Sequence, residues 1–193
     1  MSDKYHHGNL KQDIIVNGLK IINEEGIEKL SLRKVSALCG VSHTAAYAHF
    51  GSKDDLVAAI KETVANEFAE ELERAVNASR SKKPEDKIVA MGRRYVSFFI
   101  EKPDYYRFLF ENQLVTVHFD IEYYYSDDFP AFNLLKRLYV EMMEDSGEEK
   151  TKSQQELELV KIWSSVHGLA SIACMKEVEY EGSWEKAIKE LIK

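Results

Sequence analysis

Two serines in this chain are followed by lysine at the third position, a spacing that places lysine beside a serine nucleophile in some hydrolases. The pairs are Ser31 with Lys34 and Ser79 with Lys82. Such enzymes also carry Ser-Asp-Asn and Lys-Thr-Gly segments, and this sequence contains neither. Ser31 has a simpler use as the N-cap of a helix. We therefore interpret both pairs as chance and expect no catalytic residues.

Two further signatures of enzymes and metal sites are missing from the sequence. No Gly-x-Gly occurs, which excludes the common dinucleotide-binding fingerprint, and no His-Glu-x-x-His occurs. His43 and His49 are six positions apart, so on one helix they point about 120° apart and cannot share a metal ion. His6 and His7 would bind a metal only adventitiously. We expect no enzyme activity, no metal and no cofactor.

The polar side chains between residues 31 and 53 suit DNA better than catalysis. Arg33, His43 and Thr44 have groups that can contact base edges. An imidazole can donate to N7 or O6 of guanine, and a threonine methyl can contact the methyl of thymine. A further set can bind phosphates, which sets the register of a protein on DNA without reading its sequence. That set is Ser31, Tyr47, His49 and Lys53.

Some of these residues have simpler interpretations. Tyr47 could be a packing residue, and His49 could be an inert surface residue. Tyr5, His6 and His7 could form an arm that touches DNA, or they could belong to a frayed terminus. We favour the frayed terminus.

The elements that would position these side chains form a helix-turn-helix. Ser31 caps a short helix with apolar residues at helical spacing, and Gly40 ends it where a left-handed residue is required. Ser42 caps a second helix, expected over residues 43–50. In this pattern the second helix enters the major groove of DNA. Its inward face is expected to consist of Ala45, Ala46 and Phe50.

Hydrophobic periodicity places helices on both sides of this pair. A helix over residues 10–25 completes a three-helix module, and another runs from residue 52 or 53 to about 78. Further helices are expected near 84–102, 104–111, 129–145, 154–177 and 183–191, with a loop or broken helix at 112–128. We predict an all-α fold of about nine helices. The helix-turn-helix DNA-binding domain would span residues 8–52, and a helical ligand-binding and dimerisation domain would span 53–193.

Charge is distributed unevenly along the chain. The formal net charge is −7, yet residues 1–60 contain seven Lys and Arg against seven Asp and Glu. The acidic surplus therefore lies in the body, and the neutral module can still present a basic face to nucleic acid. An acidic body mildly favours a neutral or cationic ligand.

The location expected for the protein is the cytoplasm. The first residues are polar, so no signal peptide is expected, and no apolar run approaches the length of a membrane span. Cys39 and Cys174 are 135 positions apart, each in an apolar helical pattern, which fits buried free thiols in a reducing compartment.

Residues 40–56, GVSHTAAYAHFGSKDDL, carry a family resemblance. They are similar to a pattern of the TetR family of bacterial transcriptional regulators: Gly-Val-Ser, four variable residues, Tyr, one variable residue, His-Phe, then Ser-Lys-x-x-Leu. Ala48 departs from it, since many relatives carry Arg or another long side chain there, and Ala46 is smaller than the usual Leu. The matching positions are Gly40, Ser42, Tyr47, Phe50, Lys53 and Leu56.

A second resemblance lies further along the chain. The segment WSSVHGL, with Trp163, His167 and Gly168, resembles a branch of the family that has a Trp-x-x-x-His-Gly signature in its regulatory domain. Aromatic residues also cluster between 95 and 132, where they could line an apolar pocket or simply form helical core. The pocket candidates are Tyr95, Phe99, Phe110, Trp163 and His167.

The resemblance implies a ligand-responsive transcriptional regulator. Such a protein binds a palindromic double-stranded DNA operator as a homodimer, usually as a repressor, and a small-molecule inducer releases it. The long helix around Trp163 and the last helix are the candidates for the dimer interface, since the long helix is apolar over a wide arc. The alternative is a helical protein-interaction or small-molecule-binding module without sequence-specific DNA binding.

Overall fold

A computed structural model describes residues 10–125 and 129–193 of the chain. Those residues contain nine α-helices and no strand, so the all-α prediction is confirmed. Tyr5, His6 and His7 lie outside the described residues. The helices are α1 (Leu10–Glu25), α2 (Leu32–Leu38), α3 (His43–Tyr47), α4 (Lys53–Ala78), α5 (Pro84–Glu101), α6 (Pro103–Tyr106), α7 (Pro130–Ser146), α8 (Lys152–Cys174) and α9 (Trp184–Leu191).

The chain divides into two compact units, and the division falls inside α4, between Val64 and Ala65. The first turns of α4 belong to the first unit because they pack on α1 at Gly18. A Cβ atom on Gly18 would lie 2.8 Å from Cδ1 of Ile60 and 3.7 Å from Cδ2 of Leu56. The absence of a side chain at Gly18 therefore lets the two helices approach closely. The end of the DNA-binding domain, predicted at residue 52, remains a prediction, because a division into compact units does not define the limits of a functional domain.

The first unit follows the predicted local signals. α1 has the predicted bounds, and Gly26 ends it with a φ of 95°, in the region that favours glycine. A single 3₁₀ turn at Ile27–Lys29, which the periodicity did not predict, then leads into α2. The buried apolar side chains of α1 and α2 form the core of this unit; they include Ile14, Ile21, Leu32 and Val35.

Helices of the second unit begin at residues with clear local reasons to start a helix. Pro84, Pro103 and Pro130 each occupy the first turn, where a missing N–H costs no hydrogen bond. Thr151 begins α8 with a capping box: its Oγ1 accepts from Gln154 N at 3.3 Å, and Gln154 Oε1 accepts from Thr151 N at 2.9 Å.

Three predicted helix bounds in this unit are wrong by a few residues. The helix expected over 104–111 consists of α6 followed by one π-helical turn, Arg107–Glu111. The Asn112 side chain fixes the end of that turn by donating to the carbonyls of Arg107 and Phe108, at 3.3 and 3.1 Å. α8 starts two residues earlier and ends three residues earlier than expected, because the backbone of Met175 is extended, with a ψ of 126°.

The core of the second unit is built around the ring of Phe68 on α4. This fully buried ring lies 4.5 Å from the ring of Phe99 and 5.0 Å from that of Tyr95, measured between centroids. Phe98 and Phe129 complete its shell at 4.9 and 5.7 Å. One side chain of α4 thus organises aromatic residues from α5 and from the start of α7.

We expect Phe68→Ala to destabilise the protein by about 3–5 kcal/mol, since the substitution leaves a large cavity in a packed aromatic core. Urea unfolding followed by circular dichroism would measure the loss. Val16→Ala is the control: Val16 is 57% exposed, and its truncation should change the free energy of unfolding by less than about 0.5 kcal/mol. Equal effects of the two substitutions would contradict this description of the core.

Candidate nucleic-acid interface and effector site

The turn before α3 has the geometry that its sequence predicted. Gly40 adopts a φ of 67°, and Val41 N donates to the carbonyl of Ser36 at 3.0 Å, which closes the turn after α2. Ser31 Oγ accepts from Lys34 N at 3.2 Å, and Ser42 Oγ accepts from Ala45 N at 3.3 Å. Both helices of the pair therefore begin at the expected N-caps.

α3 is shorter than predicted. It ends at Tyr47, whereas the sequence pattern extended it to Phe50. The amides of His49 and Phe50 both donate to the carbonyl of Ala46, each at 3.0 Å, so the chain leaves the helix in a tight turn. The turn lets Phe50 point into the core, where it is buried.

Burial separates α3 and the following turn into two faces. Ala46 and Phe50 are buried and Ala45 is half-buried, as expected for the inward face. His43 and Thr44 are exposed at the start of the helix. The Tyr47 side chain is 57% exposed, so it is not packed in the core.

The remaining residues predicted to contact DNA differ in their exposure and in the contacts that their side chains already make. Arg33 and His49 are exposed. Ser31 uses its oxygen to cap α2, which leaves its hydroxyl hydrogen for a phosphate. Lys53 Nζ lies 3.8 Å from the Glu28 carboxylate, so that carboxylate would compete with DNA for the ammonium group.

The five predicted pocket residues come together in the second unit as one aromatic cluster. His167 is at its centre: Tyr95 Oη is 3.0 Å from His167 Nδ1, and the Trp163 ring stacks on the imidazole at 5.0 Å. The Phe110 ring is 4.6 Å from that imidazole, and Phe99 packs against Phe110 at 5.7 Å. Phe99 itself is fully buried, so it supports the cluster from behind.

Sequence reasoning did not select Tyr106 for this cluster. Its Oη is 3.5 Å from His167 Nε2, and its ring stacks near the imidazole at 5.7 Å. Tyr105 precedes it and instead donates to Glu67 at 2.8 Å. Consecutive residues of a helix point about 100° apart, and the sequence alone did not tell which of the two tyrosines faces inward.

Burial changes the protonation chemistry of two groups in the cluster. It lowers the pKa of His167 below its ordinary value, so the imidazole is neutral at neutral pH. It also raises the pKa of Cys174 to about 11, and the thiol donates to the carbonyl of Phe99 at 3.4 Å. A protonated thiol of this kind is a poor nucleophile. Neither Cys39 nor Cys174 forms a disulfide, and both are half-buried, rather than fully buried as expected.

Cavities open on two sides of the cluster. An inner cavity of about 20 Å³ is lined by Tyr95 and Trp163 together with apolar residues of α5, α7 and α8. On the other side, a more open cavity of about 260 Å³ is lined by Tyr106, Phe110 and His167, with Ser171 and Cys174 at its edge.

Within residues 10–125 and 129–193, no three His, Cys, Asp or Glu side chains are grouped to hold a metal ion. No helix in the same ranges is long and apolar enough to cross a membrane.

Comparisons with known proteins agree with this fold. Residues 14–60 match the model of the family described as bacterial regulatory proteins, tetR family. A protein of unknown function from Rhodococcus sp. RHA1 superposes with a TM-score of 0.73 at 19% identity, over 98% of this chain and 94% of that one. A TetR-like transcriptional regulator from the same organism gives 0.62 at 17% identity, over 94% and 92% of the two chains.

The regulator FadR of Bacillus subtilis, solved in complex with stearoyl-CoA, gives a TM-score of 0.68 at 15% identity, over 94% of this chain and 95% of that one. No curated protein matches the chain at a significant level. The chain has the TetR fold, with an N-terminal helix-turn-helix domain and a helical C-terminal region. The family match covers residues 14–60, and the solved structures named here are less than 25% identical to the chain, so the comparisons establish its fold.

The lowered pKa of His167 predicts a loss of stability in mild acid. The unfolded chain binds a proton at His167 more readily than the folded protein does, so stability falls as pH drops from about 6.5 towards the lower folded-state pKa. Urea unfolding at pH 7.5, 6.5 and 5.5 would measure this. His167→Gln should lose less stability over the same range, whereas Val16→Ala, at an exposed position that does not titrate, should keep the wild-type dependence. A His167→Gln profile identical to wild type would contradict the prediction.

Proposed function

We propose that the chain is a ligand-responsive repressor of transcription. In this proposal it binds a palindromic DNA operator as a homodimer, and a small-molecule inducer in the C-terminal unit releases it. It performs no catalysis, needs no cofactor, and works in the cytoplasm, where bacterial DNA lies. The observation that carries the proposal is the two-faced α3: Ala46 anchors the helix inside, while His43, Thr44 and Tyr47 are directed to solvent.

The roles proposed for individual residues follow from their places in the helix-turn-helix. His43 and Thr44 are at the N-terminal end of α3, the end that meets base edges in such motifs, and Arg33 is near the start of α2. The phosphate contacts would come from Ser31, Tyr47, His49 and Lys53. α3 contains no Lys or Arg, so non-specific affinity should be modest.

A homodimer is favoured by the exposed face of α8. Leu157 is 65% exposed and Ile172 is 47% exposed, although both are apolar. Between them lie Ser164 and Gly168, and a Cβ atom on Gly168 would meet nothing within 4 Å. Small residues between exposed apolar ones suit the close approach of a second helix. Leu191 of α9, 69% exposed, would extend this surface.

An inducer site in the second unit is supported by the aromatic cluster and the cavities beside it. The FadR structure from Bacillus subtilis holds stearoyl-CoA, so a protein of this fold can bind a small molecule. α4 is one continuous helix, and the boundary between the two units falls inside it. A ligand that favoured one conformation of this helix would alter the separation of the two recognition helices of the dimer. In this proposal the chain belongs to the branch of the TetR family with the Trp-x-x-x-His-Gly signature, which it matches at Trp163, His167 and Gly168.

The second candidate is a helical interaction or ligand-binding module without sequence-specific DNA binding. It is favoured by one observation, the acidic surplus of the chain, which has a net charge of −7. A salt titration of DNA binding distinguishes the two functions, because an affinity that depends on phosphate contacts falls steeply as the salt concentration rises.

The DNA contacts can be tested by selecting duplexes from a random pool with the full chain and measuring affinities by gel shift. Tyr47→Phe should weaken binding to selected and unselected duplexes by a similar factor, because a phosphate contact carries no sequence information. His43→Ala should reduce the ratio of the two affinities, by about tenfold for the loss of one base contact. Lys82→Gln, at an exposed lysine in the connection before α5, is the control.

Two results would count against the repressor. Failure to enrich any duplex at low salt would favour the interaction module. Enriched binding that His43→Ala and Tyr47→Phe leave unchanged would place the DNA surface elsewhere on the protein.

The dimer face makes a separate prediction. Replacing both Leu157 and Ile172 with Glu should convert the protein to a monomer, since like charges would meet across a paired α8. Light scattering after size-exclusion chromatography would give the mass. Val16→Glu introduces a charge at an equally exposed apolar position of α1 and should leave the mass unchanged. A wild-type protein of 22.2 kDa in solution would refute the dimer.

A further inference from the structure

The open cavity of about 260 Å³ at the edge of the aromatic cluster is lined by residues of α6, the π-helical turn and the end of α8. A water molecule occupies about 30 Å³ in the liquid, so the cavity has room for about nine waters. It is slightly smaller than most sites for drug-sized molecules. Its size therefore suits a small organic molecule.

Much of the cavity wall consists of aromatic rings. Tyr106, Phe110 and His167 line it, and their ring centroids are 4.6 to 5.7 Å apart. Because burial lowers the pKa of His167, the imidazole is neutral at neutral pH and adds no positive charge to the wall. The faces of tyrosine and phenylalanine rings attract organic cations, as in sites that recognise choline.

The formal charge on the cavity wall is negative. Of the described residues that line the cavity, Glu111 alone is charged at neutral pH. Its side chain is exposed, and it takes part in none of the ion pairs found within residues 10–125 and 129–193. Arg107, four positions earlier in the same turn, is paired with Asp104 instead. The Glu111 carboxylate is therefore available to a ligand.

The charge of Glu111 acts on the groups inside the cavity. Burial is the main cause of the raised pKa of Tyr106, and the Glu111 carboxylate adds to it, with no positive charge acting against it there. Burial also dominates at Cys174, where Arg107 lowers the pKa and Glu111 raises it. The guanidinium of Arg107 is already bound to the Asp104 carboxylate. A ligand beside Tyr106 thus meets a negative charge.

A larger groove in the same unit, of about 460 Å³, has its charges already compensated. It lies between α5, α8 and α9. Its charged residues are Lys150, Lys161, Lys193 and Glu158. Lys150 is paired with Glu148 and Glu158. Lys193 is paired with Glu190. The smaller cavity at Glu111 is therefore the better candidate for recognition of a charged ligand.

The cavity lies beside the proposed dimer face of α8. Successive residues of an α-helix are about 100° apart, so His167 and Cys174 are about 100° and 120° from Gly168 around the helix axis. Met175, by contrast, lies within about 20° of Gly168 and is 51% exposed. The dimer face therefore includes Met175, and the ligand contacts proposed below do not use it.

We propose that this cavity binds a small organic cation, an alkylated amine or a quaternary ammonium group. The positive head lies against the rings of Tyr106 and Phe110 and faces the Glu111 carboxylate. The proposal rests on the proposed effector function and names the ligand class. It narrows the expectation of a neutral or cationic ligand to a cation, because both the ring faces and the carboxylate favour a positive charge.

The first test compares three ligands of nearly the same shape by titration calorimetry with the full chain. Choline carries a positive head, 3,3-dimethylbutanol has the same shape without the charge, and 3,3-dimethylbutyrate carries a negative charge. Choline should bind at least tenfold more tightly than the alcohol, and the carboxylate should bind least.

Variants of Glu111 then test the charge. Glu111→Gln should weaken choline binding about tenfold and leave the binding of 3,3-dimethylbutanol within twofold. Glu144→Gln is the matched control, an exposed glutamate of α7 that does not line the cavity, and it should change neither affinity. The mass of each variant in solution is measured as well, so that a change of assembly is not mistaken for a lost contact.

Variants of Tyr106 test the ring. Tyr106→Phe keeps the ring and removes the hydroxyl, so choline binding should stay within twofold. Tyr106→Leu removes the ring face and should weaken choline binding about fivefold, more than it weakens binding of the neutral alcohol. Tyr106 is buried, so thermal unfolding checks that both variants fold. Glu111 is exposed, and its variant tests the proposal even if Tyr106→Leu does not fold.

Equal binding of the three ligands, or binding of none, would overturn the proposal. So would Glu111→Gln acting no differently from Glu144→Gln. Gel shifts without any ligand are run in parallel: intact operator binding with no choline binding rejects this inference alone. Choline binding by a chain that enriches no duplex would instead reject the repressor and keep the cation site.

Discussion

A helix of five residues, such as α3, is not stable by itself in water. The surface proposed to contact DNA therefore depends on how the rest of the unit supports this helix. The cost of starting a helix is recovered only over many residues, so α3 needs support from outside. Ser42 caps its first turn, Gly40 sets the angle of entry, and Ala46 and Phe50 anchor it in the core. The same anchoring faces His43, Thr44 and Tyr47 outwards, so the packing of α3 and the exposure of the residues proposed to contact DNA have one cause.

The second unit solves a different problem, which is how to keep polar groups inside an aromatic core. An unpaired buried hydroxyl or imidazole is costly, and Tyr95 and His167 satisfy one another at 3.0 Å. The pair fixes the imidazole between Trp163 and Phe110. Space for a small molecule is left where this packing ends, at the cavities beside the cluster and at the groove lined by Lys161.

Local signals in the sequence predicted the helices well. Ser31 and Ser42 cap helices as expected, Ser183 caps α9, and prolines begin α5, α6 and α7. α1 has the predicted bounds and α4 ends where predicted. Most of the errors lie at C-termini, where α3 and α8 end early and the helix after Tyr106 becomes a π-turn, although α8 also starts two residues earlier than predicted. Helix ends depend on which side chains the core can accept, so local propensity does not fix them.

What the sequence by itself determined was the order of the helices, the turn before α3 and the two faces of α3, because caps, glycines and periodicity act within a few positions. Tertiary structure alone decided that Tyr106 joins His167 while Tyr105 turns to Glu67. It also gathered lysines into a groove of an acidic unit. Such contacts join residues as far apart as 99 positions, as between Arg93 and Ile192. Only three-dimensional packing determines which distant helices meet.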